Sequence, residues 1–220
     1  MSALKSQQFR WTKGAAECAR KNLRKVWRSK LPLGTKFHAS FHLMNSFLFV
    51  AVVLTSILSV PLLDMKVRIP ELSAVFLLGS TFLLSLLFLS IFYWVSYRSL
   101  REEQKEGWIG FIWQFPAFLA VSMGMSLHNA IAVLQGYLGK RSDFIRTPKF
   151  DLVGKTGNWK GKTYRMSSLS WITVMEVLLS AYFAFGIYYG FHTGEYGLMP
   201  YHILLFMGFS TVALFSIKHS

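Results

Sequence analysis

The sequence predicts an all-α membrane protein with four transmembrane helices and further amphipathic or interfacial helices. Three observations predict it. Of the 220 residues, 53% are apolar and only 15% charged, against about 25% charged in an average soluble protein. The charge is nevertheless lopsided, with 24 Lys and Arg against 10 Asp and Glu for a net +14, while the mean hydropathy is positive at +0.37. Finally, the charges sit in patches separated by long uncharged stretches, as in a membrane protein with a basic cytoplasmic face. Basic proteins that bind nucleic acid are polar throughout, so this composition argues against them, as it does against soluble enzymes and disordered tails, and leaves a nucleic-acid-binding helix only as the alternative reading of residues 15–31. The single Cys18 excludes an internal disulfide and a multi-cysteine metal site.

Residues 1–36 read as a cytoplasmic segment ending in an amphipathic interface helix. Over 15–31, Ala15, Ala16, Ala19, Leu23, Val26, Trp27 and Leu31 recur at helical spacing, and Arg20, Lys21, Arg24, Lys25 and Arg28 fill the gaps. A basic helix with a Trp, stopped by a Pro32–Gly34 turn, suits the inner membrane surface. The first thirty residues are too polar for a cleavable signal peptide. Residues 37–97 hold the first two crossings. Between Lys36 and Asp64 lie 27 uncharged residues, apolar from Met44 to Leu63, and between Glu71 and Arg98 lie 26 more. A crossing needs about 20 apolar residues, and backbone in lipid must satisfy its own hydrogen bonds, so both are predicted as helices. Residues 167–220 carry the last two, Ser167–Phe191 and Met199–Ile217.

The region 98–139 needs the positive-inside rule. Its uncharged core, Gly107–Gly139, is 33 residues long, too short for two crossings and long for one. Residues 1–40 carry ten Lys or Arg, and residues 140–165 carry eight, so both belong on the cytoplasmic side. The segment between them starts and ends on that side and reads as an interfacial or re-entrant helical segment broken near Pro116. Residues 140–166 form a basic cytoplasmic loop. Both termini are then cytoplasmic, the expected membrane is the plasma (inner) membrane, and 22 of the 24 basic residues face inward.

The most informative short pattern is Q-x-x-R-W at Gln7, Arg10 and Trp11. An indole stacks on the apolar face of a pyranose, and Arg and Gln donate to phosphate and hydroxyl oxygens. The same residues would also serve as an interfacial Trp with a snorkelling Arg. The context favours sugar chemistry. Met1–Trp27, with A-L-K-S-Q-Q-F-R-W-T-K-G-A-A-E-C-A-R-K, resembles the membrane-proximal segment of the cellulose-synthase-like branch of family-2 glycosyltransferases. The order of crossings, interfacial segment and basic loop is similar too. The resemblance implies that Trp11 stacks on the acceptor sugar and that Gln7 and Arg10 face the donor diphosphate. Phe144, Thr147 and Lys149 resemble the family's gating-loop pattern F-x-V-T-x-K, with Arg146 in place of Val. That loop would close over the nucleotide; a basic loop held to anionic lipid is the plainer reading.

The family's chemistry, hexosyl transfer, also needs carboxylates for a divalent metal (Mg or Mn) and a general base. The sequence has no D-x-D and no E-D pair. The expectation is therefore a fragment, inactive alone, that binds no cofactor itself and lacks the N-terminal Rossmann-like catalytic domain. Expected partners are a nucleotide-sugar donor, a growing glycan or lipid acceptor, and membrane lipid, with no nucleic acid.

Other patterns weigh less. Gly154-Lys155-Thr156 and Gly161-Lys162-Thr163 lack the upstream Gly of a phosphate-binding loop. His38 and His42 have helical spacing but no third ligand nearby. Glu176, inside a crossing, is a functional candidate by position. It either lines a sugar path with Trp171 and Tyr182 or packs against Asn45, His128 or another helix. The function expected from the whole sequence is the membrane-channel portion of a processive glycosyltransferase extending a polysaccharide. The alternatives are a non-catalytic transporter or export scaffold, which inverted repeats would mark, and a non-processive glycolipid-forming enzyme.

Overall fold

The computed structural model describes residues 2–81, 83–100, 107–140 and 171–218. The protein is an all-α membrane protein, and no strand occurs among the described residues. Its helices are α1 (Ser2–Arg28), α2 (Leu33–Met44), α3 (Leu48–Arg68), α4 (Ser73–Ser80), α5 (Leu83–Leu100), α6 (Trp108–Gly124), α7 (Ser126–Leu138), α8 (Trp171–Thr193) and α9 (Met199–Lys218). A 3-10 turn at Asn45–Phe47 joins α2 to α3, and another at Pro70–Leu72 precedes α4. Four helical runs are long and apolar enough to cross a membrane: Leu33–Arg68, Pro70–Ser99, Trp171–Thr193 and Met199–Lys218. They overlap the four apolar stretches of the sequence, of which Ser167–Phe191 is interrupted by Glu176. The chain divides into two compact units.

The first unit comprises residues 1–55, 125–178 and 210–220. Here α1 packs most extensively on α7 and then on α2. The apolar stripe of α1 explains the first contact: Ala16 and Ala19 are fully buried. An added Cβ on Gly136 of α7 would lie 2.7 Å from both the Ala16 Cβ and the Lys13 carbonyl oxygen, so only glycine permits this approach. α7 ends at Gly139, whose φ of 70° is left-handed. Its N–H donates to Gly136 O, and Lys140 N–H donates to Gln135 O, which satisfies the last carbonyls.

The second unit comprises residues 56–124 and 179–209. Its α6 and α9 meet on small residues. A Cβ on Gly124 would fall 2.3 Å from the Gly208 carbonyl oxygen, and one on Gly208 would fall 2.0 Å from Ala120 O. Such small-xxx-small seams bring membrane helices together by van der Waals contact, where no hydrophobic effect operates between them. Polar side chains add to the packing. Ser59 Oγ lies 2.9 Å from the buried His202 Nε2, and Tyr182 Oη donates to Ile57 O at 2.7 Å. Lys66 pairs with Glu195 at 2.6 Å, so the C-terminal end of α3 and the turn after α8 lie at one level. α5 meets α6 through aromatic rings, among them Trp94 on Phe111 and Tyr93 on Phe118.

Two sequence expectations are corrected. α1 begins at Ser2 rather than near residue 15, so Gln7, Arg10 and Trp11 are helical; it ends at Arg28, and Gly34 lies inside α2 rather than in the turn. Leu31 accordingly falls outside the helix. The break in the middle segment is at Met125, not near Pro116, which sits within α6. Proline removes one backbone donor, and helices in membrane proteins tolerate that where neighbouring groups compensate.

Candidate functional site

The candidate site is built on α1, and the anchoring of that helix comes first. At about 100° per residue, Lys5, Thr12, Ala16 and Ala19 fall on one side, and all four are buried. Lys5 Nζ donates to both carboxylate oxygens of Glu176, at 2.7 and 2.8 Å. Both partners are out of water, Lys5 being 7% exposed and Glu176 fully buried. The Lys5 carbonyl accepts a hydrogen bond from His128 Nε2 at 3.0 Å, which places a proton on that nitrogen. Phe9 meets the same imidazole edge-on at 5.4 Å. One turn of α1 is thus held by α8 through charge and by α7 through a hydrogen bond and a ring contact.

Gln7, Arg10 and Trp11 occupy the opposite side. Taking Gln7 as origin, Arg10 lies about 60° to one hand and Trp11 about 40° to the other, while Lys5, Thr12, Ala16 and Ala19 cluster about 120° to 180° away. The three motif residues therefore lie within about 100° of one another, on the side of α1 away from Lys5, Thr12, Ala16 and Ala19. Trp11 is 63% exposed, and Gln7 and Arg10 are half-buried. An indole open to solvent, beside an amide and a guanidinium on a helix pinned from behind, can stack on a sugar ring and donate to anionic oxygens.

The other candidate residues are distributed differently. Phe144, Thr147 and Lys149 of the proposed gating loop lie outside the described residues. On α8, Trp171 and Tyr182 are three turns apart and share a face, whereas Glu176 lies more than about 100° around the helix. Trp171 is 61% exposed, as suits an interfacial aromatic. Tyr182 is held by the Ile57 carbonyl, and Glu176 is held by Lys5 rather than by Asn45 or His128. Glu176 lies five residues beyond Trp171, about 8 Å along the axis. His38 and His42 meet edge-on at 4.7 Å between ring centroids, and no group of three His, Cys, Asp or Glu that could hold a metal occurs among the described residues.

Sequence reasoning missed Lys5 as the partner of Glu176. The available signal was general: an acid inside a crossing requires a cation or a strong donor. It did not choose among 24 basic residues. Lys5 also stands two residues before Gln7, so the motif and its anchor share one helical turn. Comparison of the chain with family models, with curated proteins and with solved structures returns no match.

Proposed function

We propose that this chain is the membrane-embedded portion of a processive glycosyltransferase of the cellulose-synthase-like family-2 branch, which extends a polysaccharide from a nucleotide sugar and passes it across the membrane. The observation that carries the reading is the placement of Gln7, Arg10 and Trp11 on one face of α1, opposite the face that anchors it. The Trp11 indole is exposed, and Gln7 and Arg10 are its neighbours on that side of α1.

In this reading Trp11 carries the acceptor sugar, and Gln7 and Arg10 face the donor diphosphate. Phe144, Thr147 and Lys149 close over the nucleotide. Carboxylates for Mg or Mn and for the general base come from a Rossmann-like catalytic domain, since this sequence has no D-x-D motif. That metal would offset charge on the departing diphosphate. All the basic residues but Lys66 and Arg68 face the cytoplasm, with both termini inside, in the plasma membrane. The Lys66–Glu195 pair supports that topology, because it joins the ends of α3 and α8 at one level.

A second reading, a non-catalytic transporter or export scaffold, draws on the interruption of the helical run from Trp108 to Leu138 at Met125, since transporters use broken helices, there in matching pairs. Incorporation of labelled sugar separates the two. Membranes of the organism carrying this gene are supplied with a panel of labelled nucleotide sugars, before and after Trp11→Ala is introduced at its locus. The proposal expects one polymer to fall at least about tenfold with Trp11→Ala, the loss of about 1.4 kcal/mol or more of binding, and to persist with Trp113→Ala, which alters another exposed indole. Unchanged incorporation of every sugar in Trp11→Ala membranes would overturn it.

A further inference from the structure

The C-terminal half of α1 and the whole of α2 form a hairpin around an apolar cavity of about 300 Å³, lined by Leu23, Trp27, Phe37, Ser40, Phe41 and Met44. Its walls are locked in place. Trp27 Nε1 donates to Ser40 Oγ at 3.0 Å, Ser40 Oγ donates to the Lys36 carbonyl at 2.8 Å, and Lys36 Nζ donates to the Trp27 carbonyl at 3.2 Å. The Trp27 and Phe37 rings meet edge-on at 5.4 Å. The polar groups of the lining are occupied within the wall, so the cavity offers an occupant only apolar surface. Its volume is at the lower end for small-molecule pockets.

The level of this hairpin in the bilayer follows from length. The run Leu33–Arg68 is 36 residues, about 54 Å of helix, against about 30 Å of hydrocarbon. Asp64, Lys66 and Arg68 mark its polar end, so the uncharged crossing ends at Leu63 and reaches back some 20 residues, roughly to Met44. α2 therefore lies at the headgroup level on the opposite side. There its large apolar side chains stand open: Phe41 is 77% and Phe37 54% exposed. The charge of this hairpin is of one sign along the chain, with Arg20 lying against Gly139 of α7 and Lys21, Lys25 and Arg28 about 100° or more around α1 from Leu23 and Trp27. Arg20, Lys21, Arg24, Lys25, Arg28, Lys30 and Lys36 lie between Glu17 and Asp64, with no acid among them. All but Lys36 are exposed.

An apolar slot at headgroup level, on a hairpin bearing seven cations and no anion over that stretch, complements an amphiphile with a fatty chain and a negative head. We propose that the groove between α1 and α2 is a binding site for an acidic phospholipid of the bilayer, one acyl chain filling the cavity and the phosphate headgroup reached by the exposed Arg and Lys of the same hairpin. The apolar stripe of α1 at Ala16 and Ala19 is spent within the fold, so Leu23 and Trp27, together with α2, supply the surface that meets lipid. The site is independent of sugar transfer. It ties the same hairpin to the membrane whatever Gln7, Arg10 and Trp11 hold.

The test uses the full chain in phosphatidylcholine vesicles doped with phosphatidylglycerol carrying a photoactivatable acyl chain or, separately, phosphatidylcholine carrying the same chain. Adducts are mapped by mass spectrometry. The expected result is labelling within residues 23–44 by the acidic probe at about fivefold or more over the neutral one. Ser40→Phe, which fills the cavity, removes that labelling, and Ser40→Ala, which leaves the space, keeps it. The paired change Arg24→Gln with Arg28→Gln lowers the acidic preference while both probes still reach the groove. Equal labelling of residues 23–44 by the two probes would overturn the proposal. So would acidic-probe adducts confined to other helices, or a cross-link showing a second copy of the chain seated in the groove.

Discussion

Removing one member of the Lys5–Glu176 pair is the sharpest perturbation the structure offers. At 2.7 Å, the attraction between unit charges is about 6 kcal/mol for an effective dielectric of about 20. Most of that is offset by the cost of taking both ions out of water. The single variants Lys5→Met and Glu176→Leu keep the desolvation cost of the remaining ion without its compensation, so each should cost about 3–5 kcal/mol. The double variant removes both costs and the attraction together, and it should lie within about 1 kcal/mol of the wild-type chain. The assay is amide hydrogen exchange across α1 in detergent micelles. At about 1.4 kcal/mol per power of ten, the single variants should accelerate exchange in residues 5–16 by roughly two to three and a half powers of ten. The double variant should restore most of the protection. Additive effects, with the double variant as unprotected as the two singles combined, would refute the coupling between α1 and α8.

Other outcomes follow from the same structure. Gly124→Leu and Gly136→Leu should each destabilise the chain by at least about 1–3 kcal/mol in thermal melts in detergent, because the added Cβ meets backbone that cannot swing aside. The purified 220-residue chain should turn over no nucleotide sugar, since its sequence groups no carboxylates as D-x-D or E-D; detectable release of nucleoside diphosphate would contradict that. In a Cys18→Ser background, Thr193→Cys should react with a membrane-impermeant maleimide in intact cells, while Lys21→Cys should react only after permeabilisation. The reverse pattern would invert the topology.

The four crossings were legible because they depend on a one-dimensional property. Uncharged stretches such as Lys36 to Asp64 are visible in the sequence whatever the helices touch. The stripe Ala16–Ala19 was legible for a similar reason, although its partner proved to be α7 rather than the membrane surface. What sequence could not supply was pairing at a distance. Glu176 finds Lys5 across 171 positions, and Ser59 finds His202 across 143; no local pattern announces either contact. The break at Met125 was missed because proline is the conspicuous signal. The glycine seam just before it, Gly124 against Gly208, shows only once the partner helix is known. The motif Gln7, Arg10 and Trp11 was found by spacing, but its separation from the anchoring face required the helix to start at Ser2.

Whether the open face of α1 holds a sugar is tested most directly by contact at Trp11. A photoreactive benzophenone side chain is placed at position 11 in membranes that are synthesising polymer, and a second preparation carries it at position 113, where another exposed indole stands. If Trp11 carries the acceptor, position 11 yields a covalent glycan adduct that depends on the nucleotide sugar, and position 113 yields only lipid adducts. Lipid adducts at both positions, with no glycan at position 11 during active synthesis, would contradict it.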